Sequence, residues 1–209
     1  MNAPSPPRSG CLYVIAAPSG AGKTSLVKAV LNRDPSLRVS ISHTTRKPRE
    51  NERDGEHYHF VSIDEFKRLV EAGVFLEHAQ VFDNFYGTSR RGVDALLAAG
   101  HDVILEIDWQ GARQVRSAQP DCRSIFILPP SRQSLEERLR NRRTDTEEVI
   151  QRRLRDSMVD MSHYAEFDQV VVNDDFESAV NQLLAIIRGG GGYEPGRPGL
   201  QSLLKELLG

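Results

Sequence analysis

The chain has few cysteines, no long apolar run and almost no net charge. Its 209 residues include only two cysteines, Cys11 and Cys122, so a disulfide framework is excluded and a reducing cytoplasm is the simplest setting. The longest apolar run, Cys11 to Ala17, has seven residues, whereas a membrane-spanning helix needs roughly 20. A net charge of −2 argues against bulk binding to nucleic acid. We therefore expect a cytoplasmic protein with neither a membrane nor a nucleic acid as partner.

The composition is that of a folded globular protein. Hydrophobic residues make up 39% of the chain and charged residues 27%. The length suits one substantial core with small inserted lobes, and it does not comfortably accommodate two full domains. Residues 1–10 are rich in Pro and Ser and lack an apolar segment, which indicates a flexible tail and not a secretory signal.

Apolar segments with the β-branched content of strands alternate with helical patterns. The predicted strands are Leu12 to Ala17, Val103 to Asp108, Ser124 to Leu128 and Gln169 to Asn173. Predicted helices follow Gly22, extend from Arg91 to Ala99, and carry the apolar stripe Phe176, Val180, Leu184 and Ile187. This alternation predicts an α/β fold with a mostly parallel sheet flanked by helices.

Residues 41–89 interrupt the alternation. They contain a predicted helix at Asp64 to Ala72, introduced by the capping-box residues Ser62 and Glu65, and an alternating strand at Phe75 to Val81. We interpret this region as an inserted α+β lobe.

Residues 131–160 also depart from the pattern, because they contain eight arginines on two predicted helices joined near Thr144 to Thr146. A basic helical pair suits a lid over an anionic ligand. The glutamates beside the arginines fit a solvated helix pair equally well, so charge alone does not decide. Beyond Arg188, a Gly-rich linker precedes a short amphipathic segment, Leu200 to Leu208, whose role the sequence does not indicate.

Residues 17–24, APSGAGKT, have the spacing of a nucleotide-binding P-loop, and they lie between a predicted strand and a predicted helix as that motif requires. Backbone N–H groups of such a loop surround the β-phosphate of a nucleoside triphosphate. Lys23 adds a positive charge for the β and γ oxygens, and the Thr24 hydroxyl is a ligand for Mg²⁺. The predicted nucleotide-binding residues are Ala17, Pro18, Ser19, Gly20, Ala21, Gly22, Lys23 and Thr24.

Two acids, Glu106 and Asp108, lie at the end of another predicted apolar strand. Carboxylates there are costly unless a metal, a cation or a ligand compensates them. Either acid can hold Mg²⁺ through water, and which one dominates stays open. The predicted metal site is Thr24 with Glu106 through water, and the expected cofactors are ATP and Mg²⁺.

Residues 42–49, SHTTRKPR, place Arg46 and Arg49 three positions apart beside several hydroxyl groups, with Pro48 holding the backbone extended. Arginine forks and hydroxyl groups are the side chains that bind a phosphate dianion. This pattern predicts a second substrate that carries a phosphate.

Taken in order, the motifs of the chain resemble those of bacterial guanylate kinase. They are APSGAGKT, SHTTRKPR, DGEHYHF, FLEHAQVF, NFYGTSR, DWQG, SIFILPPS and VVNDDF, and they extend over residues 11–188. The resemblance implies a P-loop core (11–40, 90–130 and 161–188), a GMP-binding lobe (41–89) and a helical lid (131–160), with residues 189–209 as linker and C-terminal segment. It also implies transfer of the γ-phosphoryl group of ATP to GMP, and to dGMP, without a covalent intermediate.

The same resemblance assigns roles to individual residues. By match to the family, Ser42, Arg46, Arg49, Tyr58 and Tyr86 would hold the GMP phosphate, and Glu77, Thr88 and Asp108 would contact the guanine. Arg138, Arg142 and Arg153 would reach the transferring phosphoryl group from the lid, and Asn173 would lie near the nucleotide. A carboxylate at Glu77 can accept from both N1–H and the 2-amino group of guanine, whereas adenine offers neither donor.

Two other functions stay open at this stage. One is a guanylate-kinase-like binding module, but the intact Lys23 and Thr24 argue against it. The other is a P-loop kinase of a different small phosphorylated substrate, but Glu77 together with Thr88 favours guanine. Four histidines, His43, His57, His59 and His78, lack a metal-binding spacing. The sequence does not decide whether the chain forms a homo-oligomer.

Overall fold

Strands and helices alternate along the chain in the computed structural model, which describes residues 9–141, 146–191 and 198–209. The strands are β1 (Leu12–Ala16), β2 (Arg38–Val39), β3 (His43–Thr44), β4 (His59–Phe60), β5 (Phe75–Val81), β6 (Asn84–Ser89), β7 (Val103–Glu106), β8 (Arg123–Leu128) and β9 (Gln169–Val172). The helices are α1 (Lys23–Arg33), α2 (Ile63–Glu71), α3 (Arg90–Ala98), α4 (Trp109–Ala118), α5 (Arg132–Arg140), α6 (Glu147–Ser162), α7 (Phe176–Ile187) and α8 (Pro198–Leu208), with a 3-10 turn at Tyr164–Glu166.

The larger sheet has five strands in the order β2-β7-β1-β8-β9. The pairs β2–β7 and β8–β9 are parallel, with Ile125 opposite Gln169 and Leu128 opposite Val172 in the second pair. All five residues of β1 are buried, as are Val103, Ile104 and Leu105 in β7. Strands that are apolar on both faces are typical of a parallel sheet covered by helices on each side. The predicted α/β class with a mostly parallel sheet is confirmed.

A few predicted elements differ from the observed ones. The strand predicted to reach Asp108 ends at Glu106. Phe176, predicted on the apolar stripe of α7, is 40% exposed because it is the first residue of the helix and the buried positions begin at Ala179. The strands β2, β3 and β4 were not predicted, since a two-residue strand shows no alternation.

The chain divides into two compact units. Two of the boundaries between them fall inside strands, after Tyr13 in β1 and after Leu105 in β7. The first unit comprises the described residues up to Tyr13 together with 35–105 and 110–122. The second comprises 14–34, 106–109 and the described residues from 123 onward. The finer division into core, lobe and lid stays a prediction.

The first unit contains a four-stranded sheet of its own, in the order β4-β3-β6-β5. Strands β5 and β6 are antiparallel, and β5 has the bounds that its alternation predicts. Helix α2 covers this sheet through Phe66, which is 1% exposed and stacks on Phe75 and Phe85 with ring centroids 4.8 and 5.5 Å apart. Such aromatic pairs contribute about 0.5–1.5 kcal/mol each beyond their buried area.

Helix α2 begins at the predicted capping residue. The Ser62 hydroxyl accepts a hydrogen bond from the Glu65 backbone N–H at 3.1 Å, which satisfies one of the free donors at the helix N-terminus. Asp64 and Glu65 place negative charge in the first turn, where the helix dipole favours it. These contacts fix the start of α2 locally.

In the second unit, helices α1 and α7 pack together through apolar faces. The buried residues are Leu26, Val27 and Val30 on α1, and Ala179, Val180, Leu183, Leu184, Ile186 and Ile187 on α7. Arg33 at the end of α1 contacts Glu177 and donates to Asn181 at 2.9 Å. This packing holds α1, and with it the loop that precedes α1, against the unit.

Helix α8 packs on the same unit through three leucines. Leu200, Leu204 and Leu207 are 5%, 3% and 0% exposed, and Arg132 of α5 donates from Nε to the Leu207 carbonyl at 2.6 Å. The amphipathic segment predicted from the sequence is therefore a docked helix. In the described ranges, no helix combines the length and apolarity needed to cross a bilayer.

Candidate nucleotide site

The predicted P-loop connects β1 to α1. Gly20 and Gly22 have φ angles of +92° and +94°, in the left-handed region that favours glycine. A Cβ on Gly22 would lie 2.4 Å from Asn173 Nδ2, and a Cβ on Gly20 would lie 3.0 Å from Leu135 and Leu139 side-chain atoms. The backbone angle therefore favours glycine at both positions, and at Gly22 the Asn173 side chain also leaves no room for a Cβ.

Thr24 and Lys23, at the start of α1, contact the last residue of β7 and the residue that follows it. Lys23 Nζ donates to the Ile107 carbonyl at 2.6 Å, and the Thr24 hydroxyl donates to a Glu106 carboxylate oxygen. The structure thus brings together the lysine, the hydroxyl and one of the two predicted acids. A hydroxyl and a carboxylate side by side form an all-oxygen pair of the kind that Mg²⁺ prefers.

Asn173 and Arg138 hold the P-loop from the other side. Asn173, 4% exposed, donates from Nδ2 to the Ala21 carbonyl at 2.7 Å. Arg138 donates to the Asn173 carbonyl at 2.9 Å and to the Ala21 carbonyl at 3.4 Å. Since α5 also packs Leu135 and Leu139 against Gly20, this predicted lid helix contacts the loop directly.

The other predicted lid arginines are placed differently. Arg142 lies outside the described residues. Arg153 lies on α6 and is half-buried, whereas Arg152 and Arg155 beside it are exposed. Arg140, which has no predicted catalytic role, forms an ion pair with Glu147 at 2.5 Å. The hydrogen bond from Arg140 is the main cause that lowers the pKa of Glu147 to about 2.

The segment after β7 also contacts α6. Trp109 donates from Nε1 to Asp160 Oδ1 at 3.1 Å, and its ring stacks on His163 with centroids 3.6 Å apart. Burial raises the pKa of Asp160 to about 6, the negative charges of Asp108 and Asp156 act in the same direction, and the Trp109 hydrogen bond opposes the rise. One turn earlier on α6, the buried Ser157 hydroxyl donates to the Ser19 carbonyl at 3.2 Å.

In the first unit, three predicted base-contact and phosphate-contact residues meet. Glu77 and Thr88 are opposite each other in the β5–β6 register, and the Thr88 hydroxyl donates to Glu77 Oε1 at 2.5 Å. The Ser42 hydroxyl lies 3.2 Å from the Thr88 hydroxyl. Glu77 is 2% and Thr88 0% exposed, so the carboxylate is held in a buried polar cluster. Asp108, the third predicted guanine contact, belongs to the second unit.

The predicted phosphate-binding arginines share a carboxylate that the sequence did not single out. Arg46 donates to Glu52 at 2.8 Å, and the Arg49 backbone N–H donates to Glu52 at 2.8 Å. Burial by itself would raise the pKa of Glu52, but the Arg46 hydrogen bond and the other donors outweigh it and lower the pKa. The same ion pair overcomes the effect of burial on Arg46 and raises its pKa.

Two tyrosines complete this cluster. The guanidinium carbon of Arg46 lies 5.4 Å from the ring centroid of Tyr58, and the rings of Tyr58 and Tyr86 are 6.1 Å apart. A cation at this distance from an aromatic face is attracted to it. Arg49 is 65% exposed and reaches outward. The predicted phosphate-binding set, Ser42, Arg46, Arg49, Tyr58 and Tyr86, therefore lies within one unit.

Two histidines of this unit, His43 and His78, pack against the ring of Phe75. Within the part of the chain that the structure describes, no group of three His, Cys, Asp or Glu side chains could hold a metal ion. His43 and His59 have ring centroids 4.7 Å apart, and burial together with the His59 charge lowers the pKa of His43. An aromatic packing role accounts for these two side chains.

The contacts of four residues near the candidate site were not predicted from the sequence, namely those of Glu52, Trp109, Ser157 and Asp160. Glu52 carried a usable signal, because it follows Arg49 at i+3 in a polar turn. Trp109 lies directly after Asp108 in the DWQG motif, but nothing in the sequence pairs it with α6. Ser157 and Asp160 are three residues apart, so they share a helix face, yet only the fold shows what that face contacts.

A glycine-rich loop connects a buried strand to a helix, lysine and threonine start that helix, and an acid lies on the strand next to β1. These features define the class of P-loop nucleotide-binding proteins. Comparison with known proteins narrows this class. The family model described as guanylate kinase matches residues 9–189.

Individual relatives agree with that match. A guanylate kinase of Alkalilimnicola ehrlichii is 56% identical over 201 residues, which cover 96% of this chain and 99% of the relative. One from Chromohalobacter salexigens is 57% identical over 87% of this chain and 85% of the relative, and that of Escherichia coli K12 is 55% identical over 86% and 87%. The crystal structure of guanylate kinase from Anaplasma phagocytophilum is similar with a TM-score of 0.74 at 33% identity, covering 95% of each chain. The chain belongs to the guanylate kinase family.

Proposed function

We propose the division of roles by which this member of the guanylate kinase family transfers the γ-phosphoryl group of ATP to GMP, giving ADP and GDP. The transfer is a direct in-line displacement with no covalent enzyme intermediate. The observation that carries the proposal is the buried Glu77–Thr88 pair at 2.5 Å, on the same chain as a P-loop with intact Lys23 and Thr24. A P-loop alone implies a nucleoside triphosphate, whereas a fixed buried carboxylate also selects a base.

ATP binds at Ala17–Thr24 in this proposal. Backbone N–H groups of the loop surround the β-phosphate, and Lys23 exchanges its Ile107 carbonyl partner for phosphate oxygens. The adjoining oxygens of Thr24 and Glu106 fit Mg²⁺, with Glu106 acting through water. When bound, Mg²⁺ neutralises charge on the phosphates. Asn173 supports the loop through the Ala21 carbonyl.

GMP binds through the first unit. Arg46 and Arg49, together with Ser42, Tyr58 and Tyr86, hold its phosphate, and Glu77 with Thr88 accepts and orders the guanine edge. Asp108 completes the guanine contacts. The Arg46–Glu52 contact at 2.8 Å supports this assignment, because it orients the guanidinium before the phosphate arrives and so reduces the entropy lost on binding.

The catalytic side chains are those that meet charge on the transferring group. These are Lys23, Arg138, Arg142 and Arg153. A phosphate oxygen of GMP attacks the γ-phosphorus while the bond to the bridging oxygen breaks and ADP leaves, so no protein nucleophile is required. Catalysis comes from positioning and from electrostatic stabilisation of the oxygens of the transferring phosphoryl group. Arg138 donates to two backbone carbonyls in this structure, and the proposal requires it to exchange at least one of them for a phosphoryl oxygen.

The cell compartment and the assembly state belong to the same proposal. We place the enzyme in the cytoplasm, since the chain uses two cysteines that form no disulfide with each other and both substrates are nucleotides. Sedimentation with and without residues 189–209 measures whether a homo-oligomer forms and whether α8 contributes to it.

One assay tests the function. A coupled reaction with ATP and Mg²⁺ is run over GMP, dGMP, AMP, UMP and dTMP. We expect turnover of GMP and dGMP at least 10³-fold above that of AMP in kcat/KM, because AMP would leave the Glu77 carboxylate unpaired. Turnover of none of the five would favour a binding module, and a preference for dTMP would favour a different kinase.

A further inference from the structure

One face of helix α6 is tied to the P-loop region by two polar contacts. The Ser157 hydroxyl, fully buried, donates to the Ser19 carbonyl of the P-loop at 3.2 Å. Asp160 accepts from Trp109 Nε1 at 3.1 Å, and Trp109 follows the segment that Lys23 and Thr24 contact. Because residues three apart are neighbours on a helix surface, these contacts hold the same face of α6.

Arg153 lies on that face, four residues before Ser157. It is half-buried, whereas Arg152 and Arg155 are exposed. A shift of one residue around a helix is a rotation of about 100°, which would replace Arg153 by Arg152 in one direction or by Leu154 in the other. The rotational position of α6 therefore decides whether the helix directs Arg153 to the P-loop side.

Apolar packing does not fix that rotation by itself. The buried apolar residues Ile150 and Met161, seven positions before and four positions after Ser157, share its face and keep α6 attached to the unit. Burial of apolar surface is non-directional, whereas a hydrogen bond weakens steeply when its angle changes. The Ser157 and Asp160 contacts are thus the ones that resist rotation of the helix.

We infer that Ser157, Asp160 and Trp109 are positioning residues, which set the rotation of α6 against the P-loop and so direct Arg153 at the transferring phosphoryl group. The inference deepens the proposed function and rests on the role that it gives to Arg153. None of the three residues needs to touch a substrate. A misplacement of about 1 Å at a reacting group can lower a rate by about 10²-fold, so contacts of this kind affect kcat.

Steady-state kinetics of single variants supply the first test. For Ser157→Ala, Trp109→Phe and Asp160→Leu we expect kcat to fall about 10- to 100-fold with KM for GMP changed less than about 2-fold. Asp160→Asn keeps an oxygen that accepts from Trp109, so kcat should stay within about 2-fold of wild type. Ser162→Ala, on an exposed position of α6, is the matched control and should change nothing.

The closing test combines these changes with Arg153→Ala. If Ser157 acts through Arg153, Ser157→Ala lowers kcat in the wild-type background and has no further effect when Arg153 is absent. Thermal denaturation of each variant verifies that it is folded. If Asp160→Leu does not fold, the single variants Ser157→Ala and Trp109→Phe still test the inference. Additive losses would overturn the positioning role while leaving the proposed function intact. If Arg153→Ala has the kcat of the wild type, Arg153 does not act on the transferring phosphoryl group and the inference is overturned. An inactive wild-type chain would reject the proposed function itself.

Discussion

The P-loop and the Glu77–Thr88 cluster, to which we assign ATP and guanine binding, are built from different parts of the polypeptide. The P-loop is eight consecutive residues whose backbone N–H groups and left-handed glycines supply the binding geometry. The cluster joins Ser42, Glu77 and Thr88, where Ser42 and Thr88 are 46 residues apart and the side chains meet through strand pairing. A phosphate can be held by consecutive backbone N–H groups, whereas the Glu77–Thr88 cluster consists of side chains from separate strands, so only the first site is local in sequence.

The largest expected effect tests the local site. Lys23→Ala should lower kcat by about 10²- to 10³-fold, because it removes the positive charge that stabilises negative charge developing on the phosphoryl oxygens. The melting temperature should change little, since the Lys23 bond to Ile107 is one contact at the start of a well-packed helix. Lys28→Ala, exposed on the same helix, is the control. Turnover equal to wild type in Lys23→Ala would remove the lysine from the mechanism.

The non-local site is tested by Glu77→Gln. The amide keeps the size of the side chain and an acceptor for Thr88, but it places an NH₂ group where guanine also donates. We expect kcat/KM for GMP to fall by about 10²-fold or more, with the largest change in KM, and the preference over AMP to shrink. Glu71→Gln, exposed at the end of α2, should leave both values unchanged. Unaltered discrimination would mean that another group selects the base.

A smaller effect concerns Asp160 on α6, which accepts a hydrogen bond from Trp109. Since burial raises the pKa of Asp160 from 3.8 to about 6, its ionised form destabilises the folded state above pH 6. That destabilisation disappears as the pH falls from about 6 to about 4, because the folded protein takes up the proton first. Two pKa units correspond to at most about 3 kcal/mol. Asp160→Asn should therefore be more stable than wild type at pH 8.

Urea denaturation at several pH values measures this difference. The gain of Asp160→Asn in free energy of unfolding should decrease steadily from pH 7 to pH 4. The charges that act on Asp160 are Asp108, Asp156 and Lys23, so the series is best run at constant ionic strength. A difference that is independent of pH would show that Asp160 titrates normally.

The smallest effect returns to the first unit. Ser62→Ala removes the acceptor for the Glu65 backbone N–H and should lower the free energy of unfolding by about 1 kcal/mol. Ser117→Ala, at an exposed position one residue before the end of α4, should cause no loss, since alanine is the better helix former. Kinetic constants for ATP should be unchanged, because the cap serves α2 alone. Comparable destabilisation by both variants would contradict the capping role.

The sequence predicted the elements whose signals are local. Strand β5 has the predicted bounds, Ser62 caps α2, and the P-loop lies between a buried strand and a helix as its motif requires. The contacts that join distant segments could not be predicted in this way. They depend on which faces the fold brings together. Examples are the hydrogen bonds from Arg46 to Glu52, from Trp109 to Asp160 and from Arg132 to the Leu207 carbonyl of α8.

Trp109 is the only tryptophan of the chain, so its emission can be observed without any label. Its indole N–H donates a hydrogen bond to Asp160 and its ring stacks on His163, so a movement of either neighbour changes the surroundings of the indole and therefore its emission. Intrinsic fluorescence therefore reports the state of the junction between the P-loop segment and α6. A stopped-flow trace of nucleotide binding would show whether that junction rearranges before, during or after turnover.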